Sequence, residues 1–143
     1  VFYAFLLLIW QEGLVWFIFE IMNRQLLENR LIAFAVGIAR ITKHLDNGIA
    51  GQYFGNQVLR SGGSPALHYG EAVGAESTKD FIHKLSIALK ELRETYNNLR
   101  IIHQSELCRD PKQLDHLVKE CNELIAILYA TIKKTKQNQQ TSP

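Results

Sequence analysis

The chain has 143 residues, 47% hydrophobic and 21% charged, which suits one domain with a real core and excludes an intrinsically disordered chain. Two cysteines, Cys108 and Cys121, are too few for a disulfide scaffold and fit no CxxC redox or zinc spacing. A net charge of +2 does not by itself announce a nucleic-acid binder, and 3 Pro with 9 Gly favour long helices over strands and turns.

Residues 1–21 form an apolar N-terminal extension that differs in character from the rest of the chain. They hold seven aromatics, Gly13 and two acids, Glu12 and Glu20. The run is long enough to cross a hydrocarbon core, which takes about 20 residues, but Glu12 would sit near its centre. It lacks the basic start and small-residue cleavage site of a signal peptide. Three readings stay open: an over-extended start with Met22 as the true one, an apolar helix buried in an oligomer or docked on the bundle, and a membrane anchor. The last is disfavoured, and a membrane is not expected as a partner. Without this segment two acids and no base are lost, which raises the net charge to +4.

From residue 22 to 136 the pattern is four helices. In the first, Leu27, Leu31, Phe34, Ile38, Ile41 and Leu45 follow a heptad seam. Asp46-Asn47-Gly48 stops it. The second spans about Ile49 to Ala75, with Ile49, Tyr53, Phe54 and Val58 as its first apolar face. An interruption is expected near Ser61–Pro65, where Arg60-Ser61-Gly62-Gly63-Ser64-Pro65 offers a fresh N-cap with proline at the first helical position. Gly51/Gly55 and Gly70/Gly74 each sit four apart, a spacing that suits close backbone packing.

The third helix spans about Thr78 to Ser105, capped by Ser77 with Asp80 three residues on. Its seam is Phe81, Leu85, Ala88, Leu92, Thr95, Leu99 and Ile102, with Ile82, Leu89 and Tyr96 beside it. Asp80–Lys84 and Lys90–Glu94 have the spacing of pairs along one helix, worth about 0.2–0.5 kcal/mol each. The fourth helix begins after Asp110-Pro111 and runs to about Lys136, on a seam of Leu114, Val118, Cys121, Ile125, Leu128 and Ile132. Cys121 on that seam reads as a buried thiol acting as a small hydrophobe. Residues 137–143 read as a disordered tail. Short connections between such helices give an all-α, antiparallel up-down-up-down four-helix bundle.

No catalytic or metal constellation emerges, so an enzyme is not expected, and neither a cofactor nor a metal. A bundle metal site would need paired Glu-x-x-His motifs, and the nearest match, Asp80 to His83, occurs once. The glycine-rich Ser61–Ser64 stretch lacks the lysine and the preceding strand of a phosphate loop.

The cations are more suggestive. With the third seam as heptad positions a and d, Lys79, Arg93 and Arg100 fall on one outward line with Lys90 alongside, while Asp80 and Glu94 fall on the adjacent outward line. Arg40, Lys43 and His44 cluster at the end of the first helix, and Lys133, Lys134 and Lys136 near the C-terminus. An ordinary solvated surface accounts for them; so does a surface for RNA phosphates, whose contacts are electrostatic and salt-dependent. The aromatic mass of the second helix exceeds what one seam uses, which points to a homo-oligomer that would pool weak contacts.

The segments Leu59–Ser64, Tyr69–Ala72 and Gly74–Glu91 with Arg93-Glu94-Thr95 resemble the bacterial four-helix bundle proteins encoded in 23S rRNA intervening sequences. The likeness extends from about Leu31 to Ile132 and leaves residues 1–21 without a counterpart. It departs at Pro65, Leu67 and Asn98. The resemblance implies a cytoplasmic, non-enzymatic protein, oligomeric and by likeness of fold a pentamer. It further implies structured RNA or a reverse transcriptase-type protein as a partner, as for the accessory protein of diversity-generating retroelements. No catalytic residues carry over. Tyr53, Phe54, Ser61, Ser64, Tyr69, Glu71, Glu76, Ser77 and Asp80 are left as candidates for packing, capping or subunit contacts. The alternative is a purely structural self-assembling protein without a nucleic-acid ligand.

Overall fold

A computed structural model describes residues 2–141, with side chains at 14, 18 and 20–141. It is all-α: α1 (Phe2–Ile41), a short 3-10 turn (Thr42–His44), α2 (Ile49–Val73), α3 (Thr78–Gln104) and α4 (Pro111–Thr141). Among the described residues the sole β-type pairing is an isolated bridge between Leu45 and Cys108. The chain divides into two compact units, residues 1–30 and 31–143. The first is helical, with Leu14, Ile18, Ile21, Met22 and Leu26 exposed and an Arg24–Glu20 ion pair at 3.7 Å. Most side chains of residues 1–21 lie outside the described residues, and the expectations for that segment with them.

In residues 31–143 the core is aliphatic and heptad-spaced. Leu31, Phe34, Ile38, Ile41 and Leu45 are buried as the first seam requires. On α3, Leu85, Ala88, Leu92, Thr95, Leu99 and Ile102 are buried. On α4 the inner line is Leu114, Leu117, Cys121, Leu124, Leu128 and Ile132. Leu117 and Leu124 thus stand deeper than Val118 and Ile125, a shift of one position from the expected seam. The contacts alternate in direction. Gly55 meets Leu45 and Gly62 meets Ile38; Ser61 meets Thr95 and Glu71 meets Lys84; Cys121 meets Leu92 and His103 meets Asp115. Numbering rises along one helix as it falls along the next.

The expected interruption of the second helix is corrected by the structure: α2 runs unbroken from Ile49 to Val73 with Pro65 inside it. Proline removes one intrahelical donor and costs about 3 kcal/mol in a helix interior. Burial outweighs it here, because Ser61, Gly62, Pro65 and Tyr69 all face the core. Ser64 Oγ donates to the Arg60 carbonyl at 2.8 Å, within the same turn. The first face assigned to α2 is corrected too. Ile49 and Tyr53 are exposed; Val58 of that face is buried as expected, and Gly51 and Gly55 line the core with it. Glycine wins these positions on steric grounds. A Cβ at Gly51 would collide with the Asp46 carbonyl, and one at Gly62 would stand 2.8 Å from Ile38 Cγ1.

The ends are closed by local bonds. Ser77 Oγ accepts from the Asp80 N–H at 3.1 Å, the N-cap expected for α3. At the other end of α3, Glu106 takes a left-handed φ of 54°, and Leu107 N donates to Ile102 O at 3.1 Å, closing the helix in Schellman fashion. Arg109 then straps the two loops at that end, its guanidinium donating to the Lys43 carbonyl at 3.2 Å and its N–H to the His44 carbonyl at 2.9 Å. Helix α4 continues to Thr141, so the tail expected to be disordered from 137 is helical as far as 141. No glycine or proline falls between Lys112 and Thr141 to stop it.

Candidate nucleic-acid interface

The site is built on α3. Its residues 79, 83, 86, 90, 93, 97, 100 and 104 recur at spacings of three and four, so they share one face. All are exposed: Lys79, His83, Ser86, Lys90, Arg93, Asn97, Arg100 and Gln104. The line holds four full cations and no carboxylate. None of Lys79, Lys90, Arg93 and Arg100 has a carboxylate partner among the described residues. Arg100 instead lies over the half-buried Tyr96 ring, 5.4 Å from its centroid, a contact worth about 0.5–1 kcal/mol at an exposed site.

Two of the three acids of α3, Glu91 and Glu94, are turned towards α2. They are half-buried on that flank, where the Arg60 guanidinium meets both, at 3.2 Å from Glu91 and in closer contact with Glu94. Nearer the start of α3, Lys84 Nζ donates to Glu71 at 2.9 Å. The pairs expected along α3 are therefore replaced by bridges between helices. Glu94 pairs with Arg60 rather than Lys90, and Lys84 with Glu71 rather than Asp80. The hydrogen bond and charge of Lys84 hold the Glu71 carboxyl below its ordinary range, with His68, 3.7 Å away, adding to the effect. The same partner pushes Lys84 up. Arg60 is the residue that sequence reasoning misses here. Local signals place it in a helix break, and only an unbroken α2 carries it to the α3 flank.

The other candidate cations are exposed but separate. Arg40 lies at the end of α1 and Lys43 in the 3-10 turn that follows, near the Arg109 strap, and Lys133, Lys134 and Lys136 lie in the last turns of α4. The α4 cluster is remote from the Arg40 end, since His103 beside Asp115 sets the start of α4 there. The Arg40 and α4 clusters thus stand at opposite ends, while the four cations on α3 share one face of that helix.

The remaining candidates divide by role. Ser61 is fully buried, its Oγ 2.9 Å from Thr95 Oγ1, which is 2.8 Å from the Glu91 carbonyl. One hydroxyl carries one proton, so Thr95 donates to Glu91 and accepts from Ser61. Tyr69 is in the core, Ser77 caps, Ser64 bonds its own helix, and Glu71 bridges to α3. Asp80 is half-buried at the start of α3, and Glu76 is exposed. Tyr53 is exposed and packs edge-on against Phe54 at 5.1 Å. It borders an outward face of α2 that carries Ile49, Asn56, Leu59, Gly63, Leu67 and Gly70 and is flanked by Arg60 and Glu71, both paired to α3. Leu67 there is 70% exposed, and a Cβ at Gly63 or Gly70 would meet nothing within 4 Å. The spacing of Gly70 and Gly74 suggests a close approach, yet neither meets a neighbouring helix.

Burial disfavours the thiolate at both cysteines. Burial pushes Cys121 up to about 12, and its Sγ donates to the Leu92 carbonyl at 3.3 Å. Burial also raises Cys108. Among the described residues no group of three or more His, Cys, Asp or Glu is placed to hold a metal, and no helix is long and apolar enough to cross a membrane.

A solved protein of unknown function from the S23 ribosomal protein family of Bacteroides thetaiotaomicron is 32% identical, with a TM-score of 0.66. The match covers 77% of this chain and 97% of that one. No curated protein matches. Residues 27–130 match the model of the 23S rRNA-intervening sequence protein family. The span takes in all of α2 and α3 with their ion pairs, and the chain belongs to that family.

Proposed function

We propose that this chain is a non-enzymatic, cytoplasmic RNA-binding or ribonucleoprotein accessory protein that contacts RNA phosphates through the outward face of α3. The observation that carries the reading is the line of Lys79, Lys90, Arg93 and Arg100, without a carboxylate partner among the described residues, from which Glu91 and Glu94 are turned away to Arg60. Phosphate contacts of this kind supply affinity without sequence information. Filter binding to a structured RNA across a salt series tests it. Binding at low salt that weakens steeply with added salt is expected, with at least a tenfold loss for the triple variant Lys90→Gln, Arg93→Gln, Arg100→Gln. No binding at low salt refutes it.

A second reading is favoured by a different observation, the exposed apolar side chains Ile49, Leu59 and Leu67 on the outward face of α2. That face suits a second copy of the chain, and the family resemblance suggests five copies. Self-association would multiply the α3 lines in one particle and raise avidity, or would be the whole of the function. Light scattering of the chain and of Leu67→Lys separates the cases. An assembly that Leu67→Lys dissociates supports association through α2; a monomer at high concentration rejects it.

A further inference from the structure

Resting on the RNA-binding reading, we infer that the α3 face grips the backbone of a double-stranded RNA stem and not the bases of a single strand. Three features of the face carry this. The first is the absence of a stacking platform. Single-strand binders align aromatic side chains along a basic track so that successive bases stack on them. The single exposed ring among the described residues of this face is the His83 imidazole near its start, and one ring cannot stack successive bases. The one tyrosine nearby, Tyr96, is half-buried and already covered by the Arg100 guanidinium.

The second feature is the shape of the donor array. From Lys79 to Arg100 the line spans 21 residues of one helix, about 31 Å at 1.5 Å per residue. A straight rod of that length lies along a duplex, whereas splayed bases need pockets or loops that close around them. A-form RNA keeps its major groove deep and narrow and opens a wide, shallow minor groove edged by phosphates.

The third is the chemistry between the cations. Ser86, Asn97 and Gln104 alternate with the basic residues on the same exposed line. Their hydroxyl and amide groups both donate and accept. The 2′-hydroxyl that marks RNA in its minor groove does the same. The face therefore offers phosphate partners at the cations and sugar partners between them. The base edges of an A-form stem lie in a deep, narrow major groove that side chains cannot read, so the face tolerates any stem sequence.

Competition binding with three probes tests this: a 20-base-pair RNA duplex, either of its single strands, and the DNA duplex of the same sequence. The full chain is expected to bind the RNA duplex at least tenfold more tightly than each of the others. Arg93→Gln should weaken every probe in proportion, and Asn97→Ala with Gln104→Ala should narrow the gap between RNA and DNA duplexes. All three positions are exposed, and circular dichroism of the variants verifies that they remain folded. Single strands bound as tightly as the RNA duplex overturn the inference while leaving RNA binding intact. A DNA duplex bound as tightly as RNA overturns the sugar-reading part of it. Failure of every probe at low salt removes the inference and the underlying reading together.

Discussion

The inward and outward lines of α2 and α3 are made from similar residues and behave oppositely. Inward, glycine is a steric necessity: Gly51 and Gly62 sit where a Cβ would strike the Asp46 carbonyl and Ile38. Outward, Gly63 and Gly70 face open space. On the flank that joins the helices, Arg60, Glu91, Glu94, Glu71 and Lys84 are all paired. On the outward face of α3, Lys79, Lys90, Arg93 and Arg100 have no carboxylate partner among the described residues. Composition alone does not distinguish structural charge from available charge; the partner across the seam does.

The inward line should fail first at its most rigid point. Gly51→Ala should cost about 2–3 kcal/mol, because the obstacle is backbone and the strain of overpacking exceeds the gain in helix propensity. Urea unfolding should show a lower midpoint at unchanged slope; an unchanged midpoint would show that the close approach at Asp46 is not needed. Next in size, Thr95→Val leaves the buried Ser61 hydroxyl without its acceptor and should cost about 1–2 kcal/mol. Adding Ser61→Ala should cost less than the sum of the single changes, as a double-mutant cycle would reveal. On the outward side the sign reverses. Gly63→Ala should stabilise the fold by about 0.5–1 kcal/mol, since the methyl meets nothing and the helix gains propensity. Destabilisation would place an unseen neighbour there.

The smallest effect is that of pH on the Glu71–Lys84 bridge. Glu71 is depressed in the folded chain, so its contribution is present above the ordinary carboxylate range and lost as pH falls through its folded value. Lys84 is raised, so its share persists through neutral pH and fades only as pH rises through its own elevated value. Carbon-detected NMR titration of Glu71 should show a low midpoint that Lys84→Met returns to the ordinary range. The same midpoint in both proteins would mean that the bridge does not form in solution.

Much of the fold is legible in the residues. The seam from Leu31 to Leu45, the Ser77 cap and the wide stripe of α3 come from spacing and capping chemistry alone, whereas the stop expected at Asp46-Asn47-Gly48 comes earlier, since α1 ends at Ile41 and neither Asn47 nor Gly48 takes a positive φ. Helix α2 is harder to read. One proline and two glycines between Arg60 and Leu67 signal a break locally, and only the tertiary fit of Ser61 and Gly62 against Thr95 and Ile38 shows why the helix continues. Its buried face escapes notice for the same reason, since hydrophobicity marks where apolar side chains pack and cannot mark where their absence does. The α3 cations fall on one line by helical spacing. That the neighbouring acids are occupied is not legible, because their partner Arg60 is over thirty residues away in sequence.

The division of charge along α3 is tested most directly by the slope of log affinity against log salt for a structured RNA. It would be measured for the chain, for Arg93→Gln and for Arg60→Gln. Loss of the outward Arg93 should reduce the slope by about 1, whereas loss of the seam-bound Arg60 should leave it unchanged. An unaltered slope for Arg93→Gln, or an equal reduction for both variants, would contradict the assignment of the outward face to RNA.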